Sequence, residues 1–534
     1  MKRSLAAFVA SILFPFIQCQ ATPSQDAAAT VVVYNSNDSD SKNLADFYCA
    51  ARGINPAMEI PLAAPLSEEI SRTDYDISIG GPLREELIRR GYWMINRDIM
   101  NHPVIFATRI RYVAVIRGVP LKISQATDYP GDSKIQPDPF GACNAASVDS
   151  EISMLGYFTP QISGVLKNPV CNSNPHSNFE VQIPPAMLFV SRLDAPTSEQ
   201  VKTMITDGLH AEKEGLQGWG YIDLRSITSG GYGEGDDWIR QAGASLRRKG
   251  IPVISDDLPD TFQSGFPVTD AAAYYGWYSE NIDGPFADPF FRFVPGAVAV
   301  HLHSFSATTL HDPQKGWSGP LVAHGAAASV GNVYEPYLSF TTNLGVMAAA
   351  LLAGNNLAQS YYMAQPVLSW MSVLVGDPLY RPYATLYDPA YQPPGTVWSD
   401  YRRIILKHQG NVLKSAADLT LRSRKTRESL YLEALGSAQM DAGLLGAAEV
   451  SFRDAGVMAK DQAVAFRLFL EQARAMEKQG AFLRGAALLR QGLLRFNEPP
   501  RQRLLLSWIQ RMDPVKVESP TPIASPQPST PPGA

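Results

Sequence analysis

The sequence predicts an α/β protein built on a parallel sheet, followed by a domain of helices. Between about residues 30 and 382, short apolar runs rich in β-branched residues alternate with stretches of helical periodicity. This alternation is typical of a parallel sheet covered by helices on both faces. From residue 396 onwards, Ala, Leu and Arg recur at helical spacing instead. A chain of 534 residues is also too long for one compact core, so several domains are expected.

The individual elements follow from these patterns. Strands are predicted for the apolar runs Val31–Tyr34, Tyr112–Ile116, Met187–Val190, Gly220–Asp223, Pro252–Ser255, Ala271–Tyr275, Val298–His303 and Ala326–Val330. Helices are predicted between them, at Ser41–Arg52, Pro82–Arg90, Ser198–Glu214, Trp238–Lys249 and Phe340–Leu352.

Residues 1–21 have the composition of a signal peptide. Lys2 and Arg3 precede an apolar stretch from Leu5 to Ile17, and small residues follow at Cys19-Gln-Ala21. We expect cleavage after Ala21 and an exported protein, periplasmic or extracellular, with no later transmembrane segment. Attachment of a lipid to Cys19 is the alternative.

The bulk composition argues for a folded protein with no nucleic-acid partner. Hydrophobic residues make up 45% of the chain and charged residues only 18%, and no basic stripe precedes residue 400. An exported protein can form disulfides, so Cys143 and Cys171 could close the Gly/Pro/Asn-rich segment between them, and whether they pair is left open. Cys49 has the surroundings of a buried residue in a helix core.

Turn-forming residues divide the chain further. The first α/β subdomain is predicted over residues 22–180 and the second over 181–392, and a Pro-Pro-Gly turn at 393–395 ends the α/β part. Residues 396–512 should be helical. Gly446 and Gly485 begin two similar stretches, 39 residues apart, with small residues suited to close helix pairing, as in tetratricopeptide-like repeats. A plain helical bundle remains open. Residues 513–534 hold seven prolines among Ser and Thr and should have no fold.

The end of one predicted strand concentrates reactive side chains. The run from Val298 ends with His301, His303, Ser304 and Ser306, and ligands of parallel sheets bind at the carboxyl ends of the strands. His301 and His303 point to the same face and could hold one zinc ion, or they could be structural. Ser304 is a candidate nucleophile with His303 as its base, although a serine that hydrogen-bonds the following turn fits equally.

A second strand end is rich in aromatic residues. Tyr275, Trp277 and Tyr278, together with Glu280 and Ser306, are predicted to bind a ligand such as a sugar or a peptide. The same aromatic residues could instead form core.

Three further motifs have less specific meanings. The run Gly230–Gly235 lacks the Lys and Ser/Thr of a phosphate loop and is predicted to be a flexible surface turn. Asp149 and Glu151 could act as acid and base, or lie in a solvated loop or helix cap. Arg192 and Asp194 are predicted to form a buried ion pair rather than a substrate clamp.

The order of these motifs resembles that of the gingipain-type cysteine peptidases, which have a caspase-like fold. The resemblance spans about residues 30–382 and rests on Phe189–Thr197, the aromatic strand end, the His301 strand, Gly325–Val330 and Val375–Leu379. The chain also resembles an uncharacterised family of exported bacterial proteins that share Gly-Trp-Tyr-Ser, His-Ser-Phe-Ser-Ala and Gly-Asp-Pro-Leu-Tyr.

The peptidase resemblance implies a His-Gly after one strand and a Cys after the next. Here Gly276-Trp277 occupies the first place, and Ser304 or Ser306 the second. Because an indole cannot accept a proton at neutral pH, the resemblance implies that the dyad is lost. The expectation is therefore a peptide- or glycan-binding cleft without a cofactor, with a partner protein possible at the helical domain. The alternative is a hydrolase rebuilt on Ser304 or on a zinc ion held by His301 and His303.

Overall fold

The computed structural model describes residues 23–126, 144–158, 164–171 and 183–514. The predicted signal peptide, Cys143 and the tail from residue 515 lie outside these ranges, so export stays a prediction and the pairing of Cys143 with Cys171 stays open. Cys49 is buried in a helix, as predicted.

Each of the eight predicted strands overlaps one of the observed strands. Their bounds are β1 (Thr30–Asn35), β2 (Glu59–Leu62), β3 (Glu69–Ile70), β4 (Trp93–Arg97), β5 (Pro103–Thr108), β6 (Tyr112–Ile116), β7 (Lys122–Ile123), β8 (Ala146–Ser147), β9 (Leu166–Lys167), β10 (Phe189–Leu193), β11 (Trp219–Asp223), β12 (Val253–Asp256), β13 (Ala271–Trp277), β14 (Val298–Leu302), β15 (Ala328–Asn332), β16 (Val367–Leu368) and β17 (Ser372–Gly376).

Among the described residues, one mostly parallel sheet of ten strands dominates the α/β part. Its order is β12-β11-β13-β14-β15-β17-β10-β6-β1-β2. β11, β13, β14 and β15 are mutually parallel, whereas β17 runs antiparallel to β15. The carboxyl ends of β13 and β14 therefore meet at one edge of the sheet, where the sequence predicts the cleft.

The helices cover this sheet or form the C-terminal part of the chain. Their bounds are α1 (Pro23–Ala28), α2 (Ser39–Arg52), α3 (Arg72–Tyr75), α4 (Gly81–Arg89), α5 (Val148–Ser153), α6 (Ser198–Glu214), α7 (Gly230–Arg248), α8 (Ser318–Ala323), α9 (Leu344–Leu352), α10 (Leu357–Ala364), α11 (Val397–Lys407), α12 (Ala416–Thr426), α13 (Leu430–Asp441), α14 (Leu445–Met458), α15 (Gln462–Lys478), α16 (Phe482–Arg495) and α17 (Pro499–Met512). None of the helices in the described ranges is both long and apolar enough to cross a membrane.

The chain divides into two compact units. The first unit runs to Thr261 and resumes at Asp270–Asn411, and the second comprises Phe262–Thr269 and the chain from Val412. Helix α11 therefore belongs to the α/β unit, although it follows the Pro-Pro-Gly turn that was predicted to end this unit. The reason is packing, because the Trp398 ring in α11 lies edge-on against Trp219 in β11, with the ring centroids 5.9 Å apart.

The second unit contains helices α12 to α17 and a buried ion pair between two of them. Arg467 of α15 is fully buried, and its Nε donates to a carboxylate oxygen of Glu433 in α13 over 2.6 Å. Nη1 of the same guanidinium donates to the Pro267 carbonyl (3.2 Å) and to the Thr269 hydroxyl (2.7 Å). This one side chain therefore fastens the segment 262–269 to two helices.

The close helix pairing expected at both repeat glycines is found at only one of them. A Cβ on Gly485 would approach the Met512 sulfur to 2.7 Å, whereas Gly446 is exposed and has nothing within 4 Å of that position. Between α13 and α14 the close approach is made by Gly436, whose added Cβ would lie 2.8 Å from the Phe452 ring. Sequence similarity around Gly446 therefore does not reflect a shared contact.

Two further expectations are corrected by the structure. The Gly230–Gly235 run is the beginning of α7 and not a surface turn. Asp149 and Glu151 are not in a solvated loop, because both lie buried in α5. Asp149 accepts two hydrogen bonds from Arg192, which also pairs with Asp194 as predicted (3.2 Å).

Candidate functional site

A cavity of about 600 Å³ opens where β13, β14 and β15 end. Its walls come from these strand ends, from the first turns of α7 and from the loop after β15. The lining residues are Gly231, Tyr232, Glu234, Trp277, Tyr278, Leu302, His303, Ser304, Asn332, Glu335, Pro336, Tyr337, Leu338, Ser339 and Thr341. The peptidase resemblance singles out Trp277 and either Ser304 or Ser306, and of these Trp277 and Ser304 line the cavity.

Three tyrosine residues around this cavity are partly exposed to solvent. Tyr232, Tyr278 and Tyr337 are 52%, 49% and 46% exposed, although aromatic rings of this size are usually covered. The Tyr278 ring lies 5.2 Å from both the Tyr232 and the Trp277 rings, measured between centroids. The His303 ring is 6.0 Å away on another side. The cavity thus contains an aromatic cluster that is only partly buried.

Two of these tyrosines have an unfavourable backbone conformation. The φ angle is +69° at Tyr278 and +61° at Tyr337, in the left-handed region that bulky side chains rarely adopt. Such residues cost roughly 1–3 kcal/mol each and persist where the surroundings enforce them, which is common at ligand-binding sites.

The surroundings of Tyr278 do enforce its conformation. The Tyr278 N–H donates to the Leu302 carbonyl (2.8 Å), and the next N–H, that of Ser279, donates to Nε2 of His301 (3.1 Å). Nε1 of Trp317 donates to the Ser279 carbonyl (2.8 Å). Both peptide groups that flank Tyr278 are thereby fixed from the interior.

His301 is a buried acceptor for this turn and not a metal ligand in this geometry. Because the Ser279 N–H can only donate, Nε2 accepts and the ring proton lies on Nδ1. Nδ1 is 2.8 Å from the Tyr274 hydroxyl, which in turn donates to Asp223 (2.9 Å). Burial, followed by the charge of Arg225, lowers the pKa of His301 well below its usual value, so the ring is neutral. No lone pair is left for an ion shared with His303.

His303 lines the cavity but is not hydrogen-bonded to the Ser304 hydroxyl. Its Nδ1 donates to the Ser304 carbonyl over 2.6 Å, a contact that orients the ring and leaves Nε2 as an acceptor. A serine nucleophile needs its hydroxyl within hydrogen-bond reach of the base. Across the described ranges, no three His, Cys, Asp or Glu side chains are placed to hold a metal ion.

Three residues predicted to bind ligand lie elsewhere. Tyr275 is fully buried, on the face of β13 opposite to Tyr274, within the main hydrophobic core. Ser306 is also fully buried, and its hydroxyl accepts the Asn332 N–H (3.0 Å). Glu280 is exposed and is not part of the cavity wall. Tyr275 and Trp277 share one face of β13, as alternate residues of a strand do, but Tyr275 lies two residues before the strand end and is enclosed by the core.

Trp277 is held at the cavity wall by the start of α7. A Cβ on Gly235 would lie 2.6 Å from the indole, so the ring packs directly on the helix backbone. The indole N–H donates to Asp236 (2.8 Å), which also accepts the N–H groups of Arg225 (2.8 Å) and Ile227 (2.9 Å). Within this run it is Gly235 that permits the close approach of the aromatic ring.

The cavity wall is acidic rather than basic. Glu234 and Glu335 are the charged residues among the lining side chains, and neither Lys nor Arg is found there within the described part of the chain. Carboxylates attract hydroxyl donors and cations and repel anions. Phosphate or carboxylate ligands are therefore disfavoured.

The loop after β14 is anchored, beyond Ser304, to residues that lie beside β3 and β10. The Thr309 hydroxyl (2.5 Å) and the Leu310 N–H (3.0 Å) both donate to Glu68, and Nε2 of His311 is 3.0 Å from Asp194. Burial alone would lower the pKa of His311, but the bond to Asp194 and the nearby carboxylates raise it. The loop that contains Ser304 is thus fixed by a charged contact.

Comparison with known proteins gives no further assignment. No family model, no curated protein and no solved structure matches this chain.

Proposed function

We propose that this protein binds a neutral glycan in the cavity at the ends of β13, β14 and β15. The observation that supports this most directly is the cluster of half-exposed tyrosines, Tyr232, Tyr278 and Tyr337, two of which are held at positive φ. Flat aromatic rings with a few converging polar groups suit ligands that have both apolar faces and hydroxyl edges, as sugars do.

The charge of the wall supports the same ligand class. Sugar hydroxyls can donate hydrogen bonds to Glu234 and Glu335, and the amide of Asn332 can both donate and accept. A wall whose described residues include two carboxylates and neither Lys nor Arg would repel an anionic ligand.

A peptide is supported less well because the site has no free strand edge. Extended peptides commonly bind by adding a strand to an exposed sheet edge. β13 and β14 are each paired on both sides, and the edges of the sheet are β12 and β2. Peptide binding is therefore the second outcome that the experiment below distinguishes.

The hydrolase alternative has one supporting fact, namely that His303 and Ser304 line the same cavity. The contact of the His303 ring with the Ser304 carbonyl argues against it, as does the engagement of both His301 nitrogens. If the resemblance to the peptidases holds, Trp277 and Ser304 stand where those enzymes have their catalytic histidine and cysteine.

We also propose that the main domain is caspase-like and that the protein is exported. The caspase-like description is supported by the adjacency of β13 and β14, since Trp277 and Ser304 then follow neighbouring strands. Export is supported by the composition of residues 1–21.

Binding is tested by calorimetric titration of the full chain with neutral oligosaccharides and, separately, with unmodified peptides of similar size. Tyr278→Ala and Tyr337→Ala should each weaken oligosaccharide binding by about 3- to 10-fold, the effect of one lost aromatic contact. The matched control is Phe290→Ala, because Phe290 is 90% exposed in the same unit and does not line the cavity. It should bind like the unchanged protein.

Two results would contradict the proposal. Binding of peptides but of no oligosaccharide would exclude the glycan class. Covalent labelling of Ser304 by a fluorophosphonate probe, abolished by His303→Ala, would show a hydrolase instead.

A further inference from the structure

A second cavity, of about 330 Å³, adjoins the first. Its lining residues are Glu69, Ser124, Gln125, Ala145, Phe305, Tyr334, Glu335, Tyr337, Trp370 and Met371. Glu335 and Tyr337 line both cavities, so the two spaces share a wall formed by the loop after β15. The N–H of Tyr337 contacts the carboxylate of Glu335 over 3.4 Å, which links these two residues.

The second cavity contains its own partly exposed ring. Phe305 is 44% exposed and has a φ of +59°, the same unusual conformation as Tyr278 and Tyr337. Its N–H donates to the Tyr334 carbonyl over 2.9 Å, so the conformation is fixed by the loop after β15. Because Ser304 lines the first cavity and Phe305 the second, the backbone passes from one to the other at this peptide bond.

The two walls also have the same chemical character. The described residues that line the second cavity include the carboxylates of Glu69 and Glu335 and the amide of Gln125, but no cation. Glu69 forms an ion pair with Lys122 (3.1 Å), whose ammonium group lies beside the Tyr334 ring and is not part of the wall. An anionic ligand is disfavoured here as well.

We infer that the two cavities are consecutive subsites for one neutral oligosaccharide, which crosses the shared wall at Tyr337 and Glu335. This inference rests on the proposed glycan binding and adds the length of the ligand. The ligand is a chain of several sugar units, and Phe305 contacts units beyond those held by Tyr278. Strain at three aromatic residues from three separate loops is then explained by a single extended ligand.

A length series tests this. Neutral oligosaccharides of one to six units, taken from chitin, cellulose and starch, are titrated against the full protein by calorimetry. Affinity should rise with length until both subsites are filled. Phe305→Ala should lower the affinity for long oligosaccharides by about 3- to 10-fold. It should leave the affinity for the shortest oligosaccharides that bind unchanged. Tyr278→Ala should weaken binding at every length.

Controls keep the outcomes separate. Phe305→Tyr retains the ring and should retain the gain with length, while thermal unfolding of each variant shows that the fold is kept. Equal affinity at all lengths, or an equal loss for short and long ligands in Phe305→Ala, would overturn the second subsite and leave the proposed function standing. Failure of every oligosaccharide to bind would instead overturn the proposed function, and this inference with it.

Discussion

Gly235→Ala should destabilise the protein and disturb the cavity, although alanine is the better helix former. Gly235 is the sixth residue of α7, and an added Cβ would lie 2.6 Å from two carbon atoms of the Trp277 indole. This ring is 2% exposed, and its N–H is bonded to Asp236, so it cannot swing away freely. Either the indole or the helix must move.

The size of the effect follows from a comparison within the same helix. Glycine to alanine in a helix gains up to about 1 kcal/mol from backbone entropy. Crowding a packed core with one methyl group costs about 1–3 kcal/mol. Gly231, in the same helix, has nothing within 4 Å of its Cβ position. Gly231→Ala therefore shows the gain in stability from backbone entropy without the crowding of the indole. We therefore expect Gly235→Ala to be less stable than Gly231→Ala by about 1–3 kcal/mol.

Urea unfolding of both variants, followed by tryptophan fluorescence, measures this difference. Oligosaccharide titration of the same samples shows whether displacement of Trp277 reaches the neighbouring Tyr278. Equal stabilities for the two variants would refute the packing of Trp277 on Gly235. Unequal stabilities with unchanged oligosaccharide binding would show that the position of the Trp277 indole does not affect the ligand site.

Three further predictions concern polar groups that are buried or half-buried. Asp236→Ala removes the hydrogen-bond acceptor of the indole and of two backbone N–H groups. Urea unfolding should show a loss of about 3 kcal/mol or more in the unfolding free energy. Asp237→Ala, at the exposed neighbouring residue, should change that free energy by less than about 0.5 kcal/mol. His311 has a raised pKa in the folded protein, so its stabilising contribution is complete below the unfolded value of about 6.5 and is lost as pH rises through the raised pKa. The stability difference between the unchanged protein and His311→Gln should therefore shrink from pH 5.5 to pH 9, and a difference that is constant with pH would contradict the charged contact. Arg467→Leu leaves a buried carboxylate unpaired and should lower the unfolding free energy by about 3–5 kcal/mol, and adding Glu433→Leu should restore most of that loss.

The main sheet could be predicted well because its strands are short β-branched runs, the clearest local pattern in the chain. Two strands of the same sheet were missed. β2, at Glu59–Leu62, begins with a charged residue and contains a proline, so its local sequence does not indicate a strand. β17, at Ser372–Gly376, is apolar enough, but its place depends on distant partners in β15 and β10.

The candidate site could be predicted only in part. Strand ends brought Trp277, Tyr278, His303 and Ser304 together, as the rule for parallel sheets implies. Tyr337 and Phe305 have no local pattern that marks them, because their exposure depends on loop conformations set by tertiary hydrogen bonds. The spacing of His301 and His303, which is visible in the sequence, suggests a metal site as one alternative, whereas the hydrogen-bond partners of His301, Ser279 and Tyr274, are not visible there.

The position of β17 has a consequence for how the protein is made. It is the last strand of the large sheet to be synthesised, yet it lies between β15 and β10 in the middle of that sheet. Until β17 is available to pair, the chain presents two further open strand edges with unpaired backbone groups, those of β15 and β10, one from each half of the sheet. The halves can join only afterwards, so this fold closes late, and a chain that stops before β17 should aggregate rather than fold to a smaller stable domain.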